Sequence, residues 1–152
     1  MDKVAEEFIE QMGLHAQADG LPRTAGRMFG FFVMEGGTHS FSELAEKLRV
    51  SRGSISTNAK ILESFGAIER TSRPGDRQDY FRLADDPFSR MLRISLTRIQ
   101  RAEQLAEKTR DGLPQAARDA RARLKEMLSF YSIASRSTQD VLAEWGKRKS
   151  KT

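Results

Sequence analysis

Between Val50 and Lys60 the chain concentrates hydroxyls, an amide and two cations, and none of these eleven positions is acidic. Helical spacing places Ile55, Ala59 and Leu62 on one buried side of this segment, so the polar residues are left on the other. Short polar side chains free of carboxylates suit approach to base edges and phosphates in the major groove of DNA. The pattern therefore predicts a DNA-contacting face made of Ser51, Arg52, Ser54, Ser56, Thr57, Asn58 and Lys60.

Two short helices must hold this face in place. Ser40 and Glu43 have the spacing of a capping box, which predicts a first helix that ends near Leu48. Arg49 and Val50 form a turn, and Ser51 then caps a second helix that runs to about Phe65, before Gly66. A helix, a tight turn and a capped polar helix follow the order of a helix-turn-helix motif.

After Ala67 the pattern changes from helical to alternating. Residues 68–72 and 78–83 read as two strands that flank Pro74 and Gly75, which predicts a β-hairpin. Arg73 and Arg77 lie near the tip of this hairpin, where an arginine can enter a minor groove. Asp76 and Asp79 are the expected salt-bridge partners of these arginines.

Helices on both sides of this motif are predicted at residues 2–18, 22–35, 87–111 and 114–145. The apolar stripes of the last two exceed what the 65-residue winged domain can cover, and packing against a second copy of the chain would bury them. The fold class is mainly α with a small β-hairpin wing. The predicted parts are an N-terminal dimerisation helix at 1–20, a winged helix-turn-helix domain at 21–85, C-terminal dimerisation helices at 86–146, and a frayed basic tail at 147–152. The stripe predicted for the first helix is Val4, Phe8, Ile9, Met12 and His15.

Charge and composition narrow the function classes. Net charge is −4 over residues 1–48, +3 over 49–82 and +6 over 83–152, which favours a polyanionic partner. The chain has no cysteine and two histidines, His15 and His39, and it lacks a nucleophile elbow and a phosphate-binding glycine loop, so we predict no enzyme, metal or cofactor. No apolar run approaches membrane-spanning length and the start is unlike a signal peptide, so we expect a cytoplasmic protein without membrane partners.

Residues 40–83 resemble the winged helix-turn-helix of MarR-type transcription regulators. The resemblance rests on the runs Leu-Ala-Glu-Lys-Leu, Val-Ser-Arg-Gly-Ser-Ile-Ser and Gly-Asp-Arg. The run from Leu21 to Gly30 resembles more narrowly the glycine-betaine-synthesis regulator branch. The resemblance implies a homodimer on a pseudo-palindromic operator in double-stranded DNA, usually a repressor that a small ligand relieves. In that branch the effectors are choline-like.

Two other functions remain open at this stage. A winged helix can serve as a protein-interaction module, and it can bind DNA as an architectural protein without regard to sequence. The basic balance of residues 49–82 argues against the first. Arg23 and Arg27 also remain open, because their spacing of four suits phosphate contacts, a brace for the winged domain, or surface ion pairs.

Overall fold

The computed structural model describes residues 2–76 and 78–150, and these form six helices and three strands. They divide into two compact units, Met1–Arg90 and Met91–Thr152, with the division inside the fifth helix. In chain order the elements are α1 (Lys3–Ala18), α2 (Arg23–Glu35), β1 (Thr38–Ser40), α3 (Phe41–Leu48), α4 (Arg52–Ser64), β2 (Ile68–Thr71), β3 (Tyr80–Leu83), α5 (Pro87–Gly112) and α6 (Arg118–Lys149).

The predicted capping box is present and begins α3. The backbone N–H of Ser40 donates to the Glu43 carboxylate at 2.6 Å, and the Glu43 N–H donates to the Ser40 hydroxyl at 3.3 Å. The first of these bonds is the main reason that the pKa of Glu43 lies below its ordinary value. Ser51 caps α4 in the predicted way, since its hydroxyl accepts the N–H of Ser54 at 3.1 Å. The two helices of the motif are therefore confirmed.

The predicted hairpin is confirmed as β2 and β3, and the structure adds a strand that the sequence analysis missed. β1 pairs with β3 antiparallel, with His39 opposite Phe81, so the strand order is β1-β3-β2. β1 has three residues, which is too short for an alternating pattern to reveal. At the hairpin tip the N–H of Asp76 donates to the carbonyl of Arg73, and Gly75 has φ +80°, as a Pro-Gly turn requires.

One apolar core holds the motif and the sheet together. Its largest fully buried side chains come from α2, α3, α4 and both strands of the hairpin. Because α4 and the hairpin share this core, the outer face of α4 and the hairpin tip are positioned by the same packing. The core side chains are Met28, Phe31, Phe32, Leu44, Leu48, Ile55, Ile68 and Phe81.

The residues that α1 buries within the first unit differ from the apolar stripe predicted for this helix. Val4 and His15 are exposed, and Phe8 is at the border of exposure; Ile9 alone of the predicted five is buried. The reason is that α1 crosses α2 too closely for large side chains: a Cβ added to Gly26 would lie 2.3 Å from the carbonyl oxygen of Met12. Small residues fill this crossing instead. The buried residues of α1 are Ala5, Ile9, Gly13 and Ala16.

Arg23 and Arg27 brace this crossing, which answers the question that their spacing left open. Arg27 Nε donates to one oxygen of Glu10 at 2.6 Å, and an Arg23 Nη donates to the other at 2.8 Å. Partial burial by itself raises the pKa of Glu10, but the hydrogen bonds and charges of the two arginines outweigh it, so the pKa lies below 4.5.

The Glu10→Gln variant is expected to be about 1 kcal/mol less stable than wild type at neutral pH. The loss is small because much of the cluster is exposed to solvent, which screens its ion pairs. Since folding lowers the pKa of Glu10, its contribution is present above the unfolded value and disappears as pH falls through the lowered folded value. The melting-temperature gap between wild type and Glu10→Gln should therefore close in acid. Glu7→Gln, an exposed change on the same helix, is the control. A gap that stays constant below pH 4.5 would contradict this assignment.

The last helix differs from the prediction at both ends. α6 begins at Arg118 rather than 114 and continues to Lys149, so the predicted frayed tail is helical over residues 147–149. Lys147, Arg148 and Lys149 lie in its last turn, where cations complement the partial negative charge of a helix C-terminus. Lys151 and Thr152 lie outside the described residues.

Candidate nucleic-acid interface

The outward face of α4 presents cations and a hydroxyl that the protein does not use internally. Arg52, Thr57 and Lys60 are exposed. Within the described residues, none of these three side chains has a hydrogen bond or an ion pair. Ser56 lies on the same face and is half-buried. Because no fold contact occupies these groups, they are available to an external ligand with acceptor oxygens.

The other polar residues of the predicted face are partly engaged within α4. The Ser51 hydroxyl accepts the capping hydrogen bond from the Ser54 N–H. The Asn58 side-chain amide donates to the Ser54 carbonyl at 2.8 Å. Asn58 is buried, contrary to the expectation that it faces outward. Position 58 adjoins the Ile55 and Ala59 stripe on the helical wheel, and a count by polarity alone misses that geometry. Its Oδ1 has no hydrogen-bond partner among the described residues.

Arg49 is a candidate contact that the sequence analysis did not include. It lies in the turn between α3 and α4, its side chain is exposed, and that side chain has no hydrogen bond or ion pair with any described residue. Its backbone is left-handed, with φ 53° and ψ 48°. The sequence signal that could have identified Arg49 is its position at the end of a predicted helix, where glycine is the usual residue.

The arginines of the hairpin strands are neutralised by the protein itself. Arg70 donates to Asp79 at 3.0 Å. Arg82 forms a bidentate salt bridge with Asp85, with N–O distances of 3.0 and 3.1 Å. The bond to Asp85, with the charge of Glu69, raises the pKa of Arg82. Asp79 was predicted to pair with the tip arginines; among the described residues it pairs with Arg70 and not with Arg73.

Arg73 lies at the hairpin tip as predicted, but its guanidinium folds back on the sheet. It stacks over the Tyr80 ring at 4.2 Å and donates to the Thr38 carbonyl at 2.9 Å. The Tyr80 hydroxyl donates to Asp76 at 2.5 Å, and this bond raises the pKa of Tyr80. These contacts tie the tip to β1. Arg77, the other predicted tip contact, lies outside the described residues.

Other kinds of site find little support in the described part of the chain. Residues 2–76 and 78–150 contain no group of three His, Asp or Glu side chains placed to hold a metal ion. His39 packs edge-on against Phe31, and its Nε2 lies 2.8 Å from the Gly36 carbonyl, so it serves the core. No helix in these ranges combines the length and apolar character needed to cross a bilayer. Among the described residues of the motif, the cations that lack a partner are Arg49 in the turn and Arg52 and Lys60 on α4.

The sequence of the chain is similar to those of known transcriptional regulators. The MarR family model matches residues 19–79. The chain is 36% identical over 143 residues to the HTH-type transcriptional regulator MmpR5 of Mycobacterium tuberculosis, which covers 93% of this chain and 87% of that protein. It is 22% identical over 94 residues to the putative HTH-type transcriptional regulator YvaV of Bacillus subtilis, covering 62% and 53% of the two chains.

A solved structure shows the same fold. The crystal structure of a transcriptional regulator superposes with a TM-score of 0.85 at 34% identity, and the match covers 94% of this chain and 98% of that one. The similarity therefore extends well beyond the motif, through the helices on both sides of it. With its three-stranded sheet and the outward cations of α4, the chain belongs to the MarR family of DNA-binding, winged helix-turn-helix transcriptional regulators.

Proposed function

We propose that this regulator is a homodimeric repressor that binds a pseudo-palindromic operator in double-stranded DNA. The observation that carries the DNA contact is the outward face of α4, whose exposed side chains have no partner in the described part of the protein. Helices of this kind enter the major groove, where arginine reads guanine and lysine neutralises phosphate. The proposed groove contacts are Ser51, Arg52, Ser54, Ser56, Thr57 and Lys60.

The hairpin has a supporting role in this proposal. Arg73 and Arg77 are assigned to the DNA backbone beside the groove that receives α4. For Arg73, the stacking on Tyr80 and the bond to Thr38 favour a pre-positioned cation at the tip rather than a long side chain inserted deep into a groove. Because Asn58 is buried, we assign it to the packing of α4 rather than to a base contact.

Exposed apolar side chains support the homodimer. In the second unit only Ala106 and Ser135 are buried among residues 91–150, which is far short of a core for two long helices. Phe130 and Ile133 are 67% and 58% exposed, and Val4 of α1 is 68% exposed. Burial against a second copy would remove this surface from water. We therefore propose that residues 1–20 and 86–146 dimerise and that residues 21–85 bind DNA.

The proposal includes a small ligand that relieves repression. Assignment to the glycine-betaine-synthesis branch rests on the run from Leu21 to Gly30, and in this structure Arg23 and Arg27 of that run brace α1 through Glu10. That local role needs no effector. Because the effectors of that branch are choline-like, choline and glycine betaine are the first compounds to test. Binding to an operator also places the proposed function in the cytoplasm.

Binding selection from random duplex DNA, with and without choline or glycine betaine, tests the proposal. The expected result is an enriched site with two inverted half-sites about one helical turn apart, with weaker enrichment when the effector is present. Enrichment of a single unpaired half-site would contradict the dimer. A specific-to-random affinity ratio near one would indicate an architectural protein, and no DNA binding at any salt concentration would favour a protein-interaction module.

A further inference from the structure

Three helices of the first unit end in the same backbone motif, and one of them uses an unexpected residue. At the end of α1, Gly20 N–H donates to the carbonyl of residue 17 and Leu21 N–H donates to that of residue 16. α4 repeats these two bonds with Gly66 and the residue after it. This is the Schellman arrangement, which requires a left-handed residue and is usually completed by glycine. Gly20 and Gly66 have φ of +79° and +74°.

α3 ends in the same two bonds, but the left-handed residue is Arg49. Its N–H donates to the Glu46 carbonyl at 3.2 Å, and the Val50 N–H donates to the Ala45 carbonyl at 3.0 Å. Its φ is 53°. A residue with a Cβ is disfavoured in this conformation, because the Cβ approaches the following carbonyl oxygen. The chain therefore accepts at one helix end a conformational penalty that it avoids at the other two.

The side chain of Arg49 does not offset this penalty inside the described structure. It is exposed and has neither a hydrogen bond nor an ion pair. It borders a cleft of about 170 Å³ that Glu6 and Glu10 also line, yet neither carboxylate pairs with it. Glu10 is already held by Arg23 and Arg27. Backbone strain kept at a position without internal gain indicates that the side chain acts on something outside the protein.

We propose that Arg49 binds a DNA backbone phosphate at the edge of the groove that receives α4. The proposal rests on the proposed DNA-binding face, because it is the docking of α4 that brings the turn to the phosphates. In helix-turn-helix complexes the first helix crosses the backbone and the second enters the groove, so the turn between them passes beside the phosphates. Arg49 is two residues from the Ser51 cap and three from Arg52. It is a positioning contact and carries no sequence information.

The Arg49→Gly variant tests the proposal with two readouts that should move in opposite directions. Relief of the left-handed strain should raise the melting temperature by about 2–4 °C at a fixed protein concentration. Loss of the phosphate contact should weaken binding to a long mixed-sequence duplex about tenfold and reduce the salt slope by about one. Gly20→Arg, at a position with open space for a Cβ, is the reciprocal control: it should lower the melting temperature without weakening DNA binding.

Two further variants keep the result interpretable. Arg49→Asn also tolerates the left-handed conformation but is less flexible than glycine, so it should reproduce the weaker DNA binding of the glycine variant. Binding like wild type by Arg49→Asn would mean that glycine had weakened binding by loosening the turn, and it would overturn the proposal. Arg49→Lys keeps the charge and should retain the salt slope. An Arg49→Gly protein that binds the duplex like wild type, or that is less stable than wild type, would overturn the proposal; the second result would assign Arg49 to the cleft with Glu6. If wild type itself binds no duplex, the proposed function fails instead.

Discussion

Replacing Gly26 with alanine is expected to destabilise the protein by about 3 kcal/mol and to lower its melting temperature by about 6–12 °C. The added Cβ would lie 2.3 Å from the Met12 carbonyl oxygen and 2.9 Å from the Gly13 Cα. Both atoms belong to the α1 backbone, so a side-chain rotation cannot relieve the overlap. The two helices must move apart, and the contacts of Glu10 with Arg23 and Arg27 would weaken with them. Thermal unfolding at a fixed concentration measures the effect.

Gly146→Ala is the matched control. Gly146 lies within α6, and a Cβ there meets nothing within 4 Å. Alanine has a higher helix propensity than glycine, so this change is expected to stabilise by about 0.5–1 kcal/mol. Opposite signs for the same chemical change would show that the crossing, rather than helix propensity, sets the requirement at position 26. Equal effects of the two variants would refute the close crossing.

Removing single cations from α4 is expected to give two different losses of DNA binding. Arg52→Ala should reduce the free energy of binding to the selected operator by about 1–3 kcal/mol and that to random DNA by much less, as for an arginine that reads a guanine. Lys60→Ala should weaken binding to all sequences alike and lower the salt slope by about one, as for a phosphate contact. Neither substitution breaks an internal contact among the described residues, so melting temperatures should stay near the wild-type value. Titrations on both duplexes at several salt concentrations separate the two roles.

The control for charge alone is Arg123→Ala on α6. Arg123 is exposed and has no side-chain partner among the described residues, so this variant removes one positive charge from a residue that is not part of the motif. Its affinity for both duplexes should match wild type. Equal losses for Arg52→Ala and Lys60→Ala on operator and random DNA would contradict the division of labour. A comparable loss for Arg123→Ala would mean that overall charge, rather than the α4 face, governs binding.

Local sequence signals were sufficient where a few adjacent residues determine the structure. Ser40 with Glu43, Ser51, and Pro74 with Gly75 act through bonds to their own neighbours, so the helix starts and the hairpin turn could be predicted from spacing. The outward placement of Arg52 and Lys60 followed from the period of the apolar residues in α4. The same reasoning failed for Asn58, because polarity does not decide exposure at the border of a buried stripe.

Features that depend on a distant partner were not predictable from the local pattern. β1 exists because Thr38–Ser40 pairs with β3, about forty residues later in the chain. The residues that α1 buries against α2 differ from its predicted apolar stripe, because large apolar residues usually mark the buried side of a helix, whereas the close approach of α2 at Gly26 admits only small ones. The engagement of Arg73 by Thr38 and Tyr80 likewise requires the assembled sheet.

By itself, the sequence determined the order of the six helices and the hairpin, the acid-free composition of the α4 segment and the caps that begin α3 and α4, since each depends on residues within one or two turns of one another. Tertiary structure alone decided which of the cations remain unpaired. Arg70 and Arg82 find carboxylates across the hairpin and beyond its end, while Arg49, Arg52 and Lys60 find none in the described chain. Charge pairing depends on distances of a few ångströms between side chains that only the folded backbone brings together.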